Sequence, residues 1–206
     1  MVLGGQPPGR VGRRRILHTA GGLATSGRFR LRHLYDDRVE LRDGELLLRP
    51  PAERDIPAVV AACQDPEISR FIPFVPTPYR EDDAQAWLRA VSETWNASLE
   101  RTFAILDEER DQFLGVVTVR LVEEGTVGYW LAPAARGRGV MTRAVRLVVD
   151  WVREMHAIRV LRLTTHPENT ASQRVAERAG FRRVGLTRDH PAFRDGTHEA
   201  VLFELS

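Results

Sequence analysis

The sequence predicts an α/β fold of the α+β kind, in which helices flank a mixed, mostly antiparallel central sheet of about seven strands. Three strand-like runs separated by short polar turns follow one another at residues 102–106, 113–122 and 126–131, which indicates an antiparallel meander. From residue 139 onward, helical and strand periodicities alternate. With the preceding segments they give the order β-α-α-α-β-β-β-α-β-α-β-β.

The first core strand and the first helix follow a hairpin-like start. In residues 39–50 an Asp-Gly pair lies between two short apolar runs, and residues 46–49 form the first core strand. Residues 53–63 carry apolar side chains at a helical spacing that places Cys63 on the buried face. We therefore interpret Cys63 as a small core thiol rather than as a reactive nucleophile.

A proline-rich loop separates this helix from the next. Three prolines in residues 71–80 exclude a helix interior or a central strand. The aromatic residues of the loop indicate either a pocket wall or packing against the core. Residues 81–96 then form a helix with an apolar stripe that includes Trp87.

The second half of the chain alternates helices with strands. Residues 139–155 form an amphipathic helix of about four turns. Residues 169–179 form a shorter helix, and Gly180 is placed to end it. The remaining strands are residues 160–165, 181–187 and 197–205.

Charge divides the chain in two. All 30 basic residues are arginines, and residues 1–43 hold nine of them against four acids. Residues 1–38 show no sustained periodicity, so we interpret them as an Arg/Gly-rich extension, either poorly ordered or an over-long translation start, and residues 39–206 as a single domain. Residues 13–17 resemble a twin-arginine export signal, but the stretch that follows is too polar for one.

Composition limits where the protein works and what it binds. The single cysteine excludes an internal disulfide framework and is compatible with the cytoplasm, where we expect the protein to act. The basic pI belongs to the extension, so the folded domain is not expected to bind nucleic acid or a membrane. As an alternative, the extension is a tether to one of these. The sequence indicates no metal site and leaves a monomer and a homodimer open.

A glycine-rich turn connects the strand at 126–131 with the helix at 139–155. Residues 136–141 read Arg-Gly-Arg-Gly-Val-Met. Strand, glycine turn and helix is an arrangement that binds phosphate, because the first amides of a helix lack partners and the helix dipole favours an anion. Arg136 and Arg138 can add bidentate charge. A P-loop is excluded because Gly-Lys-Ser/Thr is absent.

Two further motifs raise the specificity of this turn. Residues 128–131, Gly-Tyr-Trp-Leu, precede it, and residues 169–181 run Asn-Thr-Ala-Ser-Gln-Arg-Val-Ala-Glu-Arg-Ala-Gly-Phe. Together the motifs resemble the GNAT superfamily of acetyl-CoA-dependent N-acetyltransferases. The chain is most similar to the RimJ/RimL-type branch, which includes enzymes that acetylate the N-terminal amine of ribosomal proteins. The resemblance covers residues 45–205 and implies a GNAT fold whose sheet is splayed at the fourth strand, here residues 126–131.

The resemblance also implies acetyl-CoA as the cofactor and assigns residues to it. Leu131 and Ala132 would pair with the pantetheine arm, and the Leu131 amide would face the thioester oxygen. Asn169 would contact the cofactor, and the Ser172 hydroxyl would reach the departing thiolate, so that Ser172 and Leu131 are the catalytic groups. The pyrophosphate would be held by the turn and the helix start, namely Arg136, Gly137, Arg138, Gly139, Val140, Met141 and Thr142.

Simpler roles exist for some of these residues. Asn169 can be a helix N-cap with Ser172 at the third helical position, and this role is compatible with cofactor contact. Arg136 can be a solvated surface charge. Met141 stands where the family has a small residue, so its side chain must point away from the turn if the amide is to bind phosphate.

The family's usual general base is missing. Many members carry a glutamate on the fourth strand, where this chain has Thr126. Glu123, Glu124 and His166 could act through water, although each is more typical of a surface position. A lysine amine with a pKa of about 10.4 is neutral about one part in a thousand at pH 7.4, whereas an α-amine near 7.8 is neutral roughly a quarter of the time. The missing base therefore favours an α-amine acceptor.

The expected reaction is acetyl transfer to a primary amine, preferably the N-terminal α-amine of a protein or peptide. The acceptor pocket is expected between the proline-rich loop, the helix at 81–96 and the reaction centre. Its lining residues are Phe71, Phe74, Tyr79, Trp87 and Tyr129. A small-molecule amine such as an antibiotic or a polyamine is the alternative acceptor, and a non-catalytic acetyl-CoA-binding module is the alternative outside enzymes.

Overall fold

The computed structural model describes residues 39–121, 124–155 and 158–206. The interpretation of residues 1–38 lies outside them. The described residues form helices α1 (Ile56–Ala62), α2 (Pro66–Phe71), α3 (Glu81–Asn96), α4 (Val140–Met155) and α5 (Thr170–Arg178). The strands are β1 (Leu41–Asp43), β2 (Leu46–Arg49), β3 (Glu100–Asp107), β4 (Gln112–Arg120), β5 (Gly125–Leu131), β6 (Leu161–Thr165), β7 (Arg182–Thr187) and β8 (Ala200–Leu205).

These strands form one mixed sheet in the order β1-β2-β3-β4-β5-β6-β8-β7. Only the β5–β6 pair is parallel among them. The predicted sheet and element order are confirmed, with one strand added. The addition is β1, because the hairpin-like start extends far enough for Leu41 to pair with Leu48 of β2.

The sheet opens between β5 and β6. Their parallel pairing is confined to Gly125 with Leu161 and Thr126 with Arg162. Beyond Thr126, β5 stays paired with β4, whereas β6 stays paired with β8 along its whole length. The carboxyl ends of β5 and β6 therefore diverge, which is the splay expected at the strand of residues 126–131.

Three apolar clusters cover the sheet, of which the smallest is formed by Leu47, Ala104 and Leu106. The main one packs β2–β6 and β8 against α4 and α5, and the amphipathic face of α4 supplies a large part of it. The buried residues of that face are Val140, Met141, Ala144, Val145, Val148, Val149, Trp151 and Val152. The second cluster joins α1, α2 and α3 around Cys63 and reaches Trp130 of β5. The sheet is thus buried on both faces where β5 ends.

The second cluster contains the only cysteine of the chain. Cys63 is 5% exposed, and burial raises the pKa of its thiol to about 12. A buried, protonated thiol packs as a small apolar group and is a poor nucleophile. The prediction that Cys63 is a core thiol is confirmed.

The predicted helix at 53–63 begins later than expected. Glu53–Asp55 forms a 3-10 turn, and α1 follows from Ile56. The Asp55 carboxylate accepts two hydrogen bonds from Arg49, both at 2.8 Å, and one from the Ala52 amide, also at 2.8 Å. Because Arg49 and Asp55 are both buried, removing either would leave an uncompensated charge. This pair fixes the path from β2 into α1.

Candidate active site

The turn between β5 and α4 has two glycines in a left-handed backbone conformation. Gly137 and Gly139 each have a φ of 75°, which other residues rarely adopt. Among the described residues, apart from chain neighbours, no atom lies within 4 Å of where a Cβ would be at either glycine. The Arg143 amide donates to the Gly139 carbonyl at 3.2 Å, as in the first turn of a helix. The three amides before Arg143 therefore have no partner within the helix. These are the amides of Val140, Met141 and Thr142.

The side chains of this turn leave the amides accessible. Met141 is 3% exposed and packs in the main cluster, so its side chain points into the core. Val140 is buried in the same cluster, Thr142 is half-buried, and Arg138 is exposed. The departure from a small residue at position 141 therefore does not fill the turn. The arrangement is an open set of N–H donors at the positive end of a helix dipole, which suits an anion.

The Arg136 side chain has its partners outside this set of donors. Its guanidinium forms an ion pair with the Asp65 carboxylate and donates to the Leu131 carbonyl at 3.2 and 3.3 Å. Arg136 is therefore not a free surface charge. Sequence reasoning missed Asp65, which precedes α2 and caps it by accepting from the Glu67 amide at 3.1 Å.

The end of β5 presents its backbone to the splay. The Ala132 amide donates to the Leu114 carbonyl of β4 at 2.8 Å, which makes the pair of Leu131 and Gly115 a non-hydrogen-bonded pair of the ladder. The N–H and C=O groups of Leu131 therefore point away from β4, toward the splay. Because this orientation repeats every second residue, those of Tyr129 point the same way.

Ala132 differs from the expectation for it. Besides its amide, its carbonyl is engaged, since it accepts from the Ala135 amide at 2.9 Å. Both backbone groups of Ala132 are thus used within the β4–β5 ladder and the following 3-10 turn, Pro133–Ala135. Of the two residues expected to pair with the cofactor arm, only Leu131 has backbone groups that point toward the splay, and its carbonyl accepts from Arg136.

Two hydroxyl groups meet across the splay. Tyr129 on β5 lies with its hydroxyl 3.0 Å from Ser172 Oγ, and it also donates to the Ser172 carbonyl at 3.1 Å. Burial raises the pKa of Tyr129 to about 12, against an opposing effect of the Ser172 hydrogen bond. The phenol therefore stays protonated at neutral pH. Sequence reasoning placed Tyr129 only in the acceptor pocket, and the structure joins it to Ser172.

Asn169 caps α5. Its Oδ1 accepts from the Ser172 amide at 3.0 Å, which places Ser172 at the third helical position, as the capping alternative describes. The side-chain amide group of Asn169 carries two further donors. The cap orients Ser172 through the side-chain oxygen of Asn169. Contact with the cofactor would therefore have to come from the side-chain nitrogen.

We call the pocket residues expected on the proline-rich loop and on α3 the acceptor wall. Some of them are exposed and others are buried in the core. Phe74 is 74% exposed, whereas Phe71 is half-buried, with Arg70 over its ring at 4.9 Å. Tyr79 is buried in the second cluster, where burial raises its pKa, and Trp87 is half-buried beside it. The structure thus places the side chains of Tyr79 and Trp87 as supports of the loop and that of Phe74 as its exposed surface.

His166 is not the surface residue that the sequence suggested. It is 4% exposed, its Nδ1 accepts from the Glu168 amide at 3.0 Å, and its Nε2 lies 3.1 Å from the Asp195 carboxylate. Nδ1 is therefore unprotonated and Nε2 donates to Asp195. Since both ring nitrogens are engaged, His166 is not placed to accept a proton from an amine. His166 is buried because the β7–β8 loop covers its ring, with the ring centroids of Phe193 and His166 4.6 Å apart.

The other base candidates are not better placed. Glu124 is exposed and paired with Arg162 of β6, Glu123 lies outside the described residues, and Thr126 is exposed on β5.

The β7–β8 loop also reaches the acceptor wall, because Arg194 Nε donates to the Ser69 carbonyl of α2 at 2.7 Å. No sequence signal identified this loop, since its contacts join segments far apart in the chain.

Comparison with known proteins decides the family. A family model described as "Acetyltransferase (GNAT) domain" matches residues 45–182, more than half of the chain. This chain belongs to the GNAT acetyltransferase family. As a GNAT N-acetyltransferase, it has relatives such as the Bacillus subtilis (strain 168) protein named "Probable N-acetyltransferase YjcK", which is 37% identical over 93 residues, covering 42% of this chain. The aligned segment spans 50% of YjcK.

Solved structures share the GNAT fold. RimL, described as the ribosomal L7/L12 alpha-N-protein acetyltransferase in complex with coenzyme A, has a TM-score of 0.73 at 16% identity, covering 81% of this chain and 97% of RimL. Mycobacterium smegmatis RimJ, in complex with CoA-disulfide, has a TM-score of 0.72 at 20% identity, covering 83% of this chain and 87% of RimJ. The predicted GNAT fold is confirmed, and both structures are of the RimJ/RimL type that the motifs resemble. Among the described residues, no helix is long and apolar enough to cross a bilayer.

Proposed function

We propose that this GNAT enzyme transfers an acetyl group from acetyl-CoA to the N-terminal α-amine of a protein or peptide. The observation that carries the proposal is the direction of the Leu131 backbone, which faces the splay between the glycine turn and the Tyr129–Ser172 pair. An N–H donor, an anion cradle and a hydroxyl donor thus border one gap. These are the groups that acyl transfer from a thioester needs.

The chain's residues fit coenzyme A on structural grounds. A Cβ at Gly137 or Gly139 would meet only open space among the described residues, so phosphate oxygens could approach the amides of residues 140–142 closely. Exposed Arg138 adds charge beside them. Bound there, acetyl-CoA supplies an activated acetyl thioester.

Three residues would then act on the reaction. Leu131 N–H stabilises the negative charge that develops on the thioester oxygen, because it is fixed in the sheet and costs no reorganisation. Ser172 delivers a proton to the departing sulfur, the proton that the amine loses as the amide forms restores the serine hydroxyl, and Tyr129 holds that hydroxyl in place. Removing a single fixed donor of this kind typically costs about 10²–10³ in kcat.

The acceptor is inferred from what the end of β5 lacks. Among the described residues of β5 there is no carboxylate, and His166 has both nitrogens engaged. An α-amine is neutral more than a hundred times as often as a lysine amine at neutral pH, so it needs less help from a base. The ribosomal-protein acetyltransferase RimL among the structural neighbours supports the same class of acceptor.

Mass spectrometry tests the acceptor directly. Peptides with a free N-terminus and no lysine are incubated with the protein and acetyl-CoA beside the same peptides with a blocked N-terminus and one lysine. At pH 7.4 we expect the free N-termini to be acetylated on the order of 10² times faster. The rate with the α-amine should level off above about pH 8, whereas any rate with lysine should keep rising toward about pH 10. Preferential lysine acetylation would overturn the proposal.

Gly139→Glu tests the placement of the cofactor. The substitution strains a residue with a φ of 75° and puts a carboxylate against the pyrophosphate, so we expect coenzyme A binding to be lost by calorimetry. Gly196→Glu is the matched control, because Gly196 has a φ of 84° and open space around its Cβ position within the described structure, but lies in the β7–β8 loop. Equal binding by the two variants would overturn the placement. Binding by the unmodified chain without acetylation of any amine would instead support a non-catalytic module.

A further inference from the structure

The cofactor strand is tied to the proposed acceptor wall through one side chain. Arg136 follows β5, and its guanidinium bridges the Leu131 carbonyl and the Asp65 carboxylate. Asp65 is the N-cap of α2, whose last residue is Phe71, the first residue of the proline-rich loop. A single arginine therefore connects the end of β5 with the helix that leads into this loop.

Asp65 is held rigidly in this bridge. Its Oδ1 accepts from the Glu67 amide at 3.1 Å and its own amide donates to the Ala62 carbonyl at 3.0 Å. Its side chain is 14% exposed, against 40% for Arg136. The carboxylate is thus the fixed partner and the guanidinium the mobile one, because a long arginine side chain on the surface can reorient at small cost.

The position of Arg136 conflicts with the proposed binding of coenzyme A. The Leu131 carbonyl points into the splay, where the cofactor arm would pair with β5, yet the guanidinium covers it. The same guanidinium is expected at the pyrophosphate, yet it lies on Asp65. Asp65 and the pyrophosphate are therefore two anions that compete for one cation.

We propose that Asp65 is a positioning residue that holds Arg136 over the Leu131 carbonyl, so that coenzyme A must displace the arginine to bind. This inference rests on the proposed function, since it takes the splay as the cofactor site. Because of this competition, the apparent affinity for coenzyme A is the affinity of the state with Arg136 released, multiplied by the fraction of molecules in that state. It also means that cofactor binding frees the carboxylate at the start of α2, beside the acceptor wall.

Calorimetric titration with coenzyme A tests the inference without any turnover. Asp65→Asn keeps the N-cap, because asparagine caps helices as well as aspartate does, but it removes the charge. We expect about fivefold tighter binding, which is about 1 kcal/mol at 1.4 kcal/mol per tenfold. Glu67→Gln is the matched control: it removes a charge from the same helix, but the carboxylate contacts Arg70 rather than Arg136, so its dissociation constant should stay within about twofold of the parent.

Arg136→Gln completes a double-mutant cycle. In the Arg136→Gln background, Asp65→Asn should no longer change the affinity, because the residue through which it acts is gone. An unchanged or weaker affinity of Asp65→Asn, an equal effect of Glu67→Gln, or a persistent effect of Asp65→Asn without Arg136 would each overturn the inference. If the unmodified chain and Asp65→Asn both fail to bind coenzyme A, the proposed function fails and the inference fails with it. Thermal unfolding of Asp65→Asn and Glu67→Gln without cofactor should stay near that of the parent, which excludes a merely structural effect on the affinity. Arg136→Gln is expected to unfold at a lower temperature, because it leaves a buried Asp65 oxygen without its cation.

Discussion

At the residue scale, the bond between Tyr129 and Ser172 decides which hydroxyl can donate to the sulfur. Tyr129 has one proton and two acceptors in reach, the Ser172 carbonyl and the Ser172 Oγ. When the phenol donates to the carbonyl, the serine hydroxyl donates its own proton to the phenol oxygen. When the phenol donates to Oγ instead, the serine proton is free to turn toward the splay. Because the pKa of Tyr129 is raised to about 12, the phenol remains a neutral donor throughout the working range of pH. Tyr129 therefore sets the orientation of Ser172 without ionising.

This arrangement predicts non-additive kinetics. Ser172→Ala should lower kcat about 10²-fold, in the range for loss of a general acid. Tyr129→Phe should lower kcat about tenfold while the KM for acetyl-CoA stays within about twofold, because the hydroxyl acts through Ser172. The double variant should be no slower than Ser172→Ala alone. Steady-state kinetics measure all three, and a double variant slowed by the product of the single effects would show that the two hydroxyls act independently.

At the element scale, the N-terminus of α5 has to orient Ser172, and Asn169 performs that task with one half of its side chain. Its oxygen accepts from the Ser172 amide, which leaves the amide nitrogen for another partner. An N-cap alone is worth about 1 kcal/mol and is served equally well by aspartate. The capping role and the proposed cofactor contact can therefore be separated by substitution.

Two substitutions at Asn169 give different results for the two roles. Asn169→Ala should lower the free energy of unfolding by about 1 kcal/mol, measured with urea, because the cap is lost. Asn169→Asp should leave the free energy of unfolding unchanged but weaken coenzyme A binding several-fold, because it replaces an N–H donor by a negative charge. If Asn169→Asp binds coenzyme A as the parent does, Asn169 is a cap and no more.

At the scale of the whole molecule, the sequence predicted what local periodicity determines. The meander of β3–β5 and the amphipathic face of α4 are read from neighbouring residues, whereas the splay was implied by the resemblance to the GNAT family and not by periodicity. The partners of charged side chains could not be predicted in the same way. Arg136 meets Asp65, and His166 meets Asp195, only because α2 and the β7–β8 loop pack beside the ends of β5 and β6. Nor did the motif reveal that Ala132 uses its own amide within the sheet, because ladder phase depends on the pairing register.

The last prediction concerns the division of the chain at residue 38. Within the described residues, which begin at residue 39, the main clusters are already continuous, and the family match begins at residue 45, so we expect a chain that starts at Val39 to keep the same core. The single thiol, Cys63, measures this, since it is 5% exposed and its pKa is raised to about 12. At pH 8 it should react with a thiol reagent only when the second cluster opens, on the order of 10² times more slowly than in urea. The shortened chain should be labelled at the rate of the full chain and bind coenzyme A equally well, and faster labelling would mean that residues 1–38 stabilise the domain and are part of it.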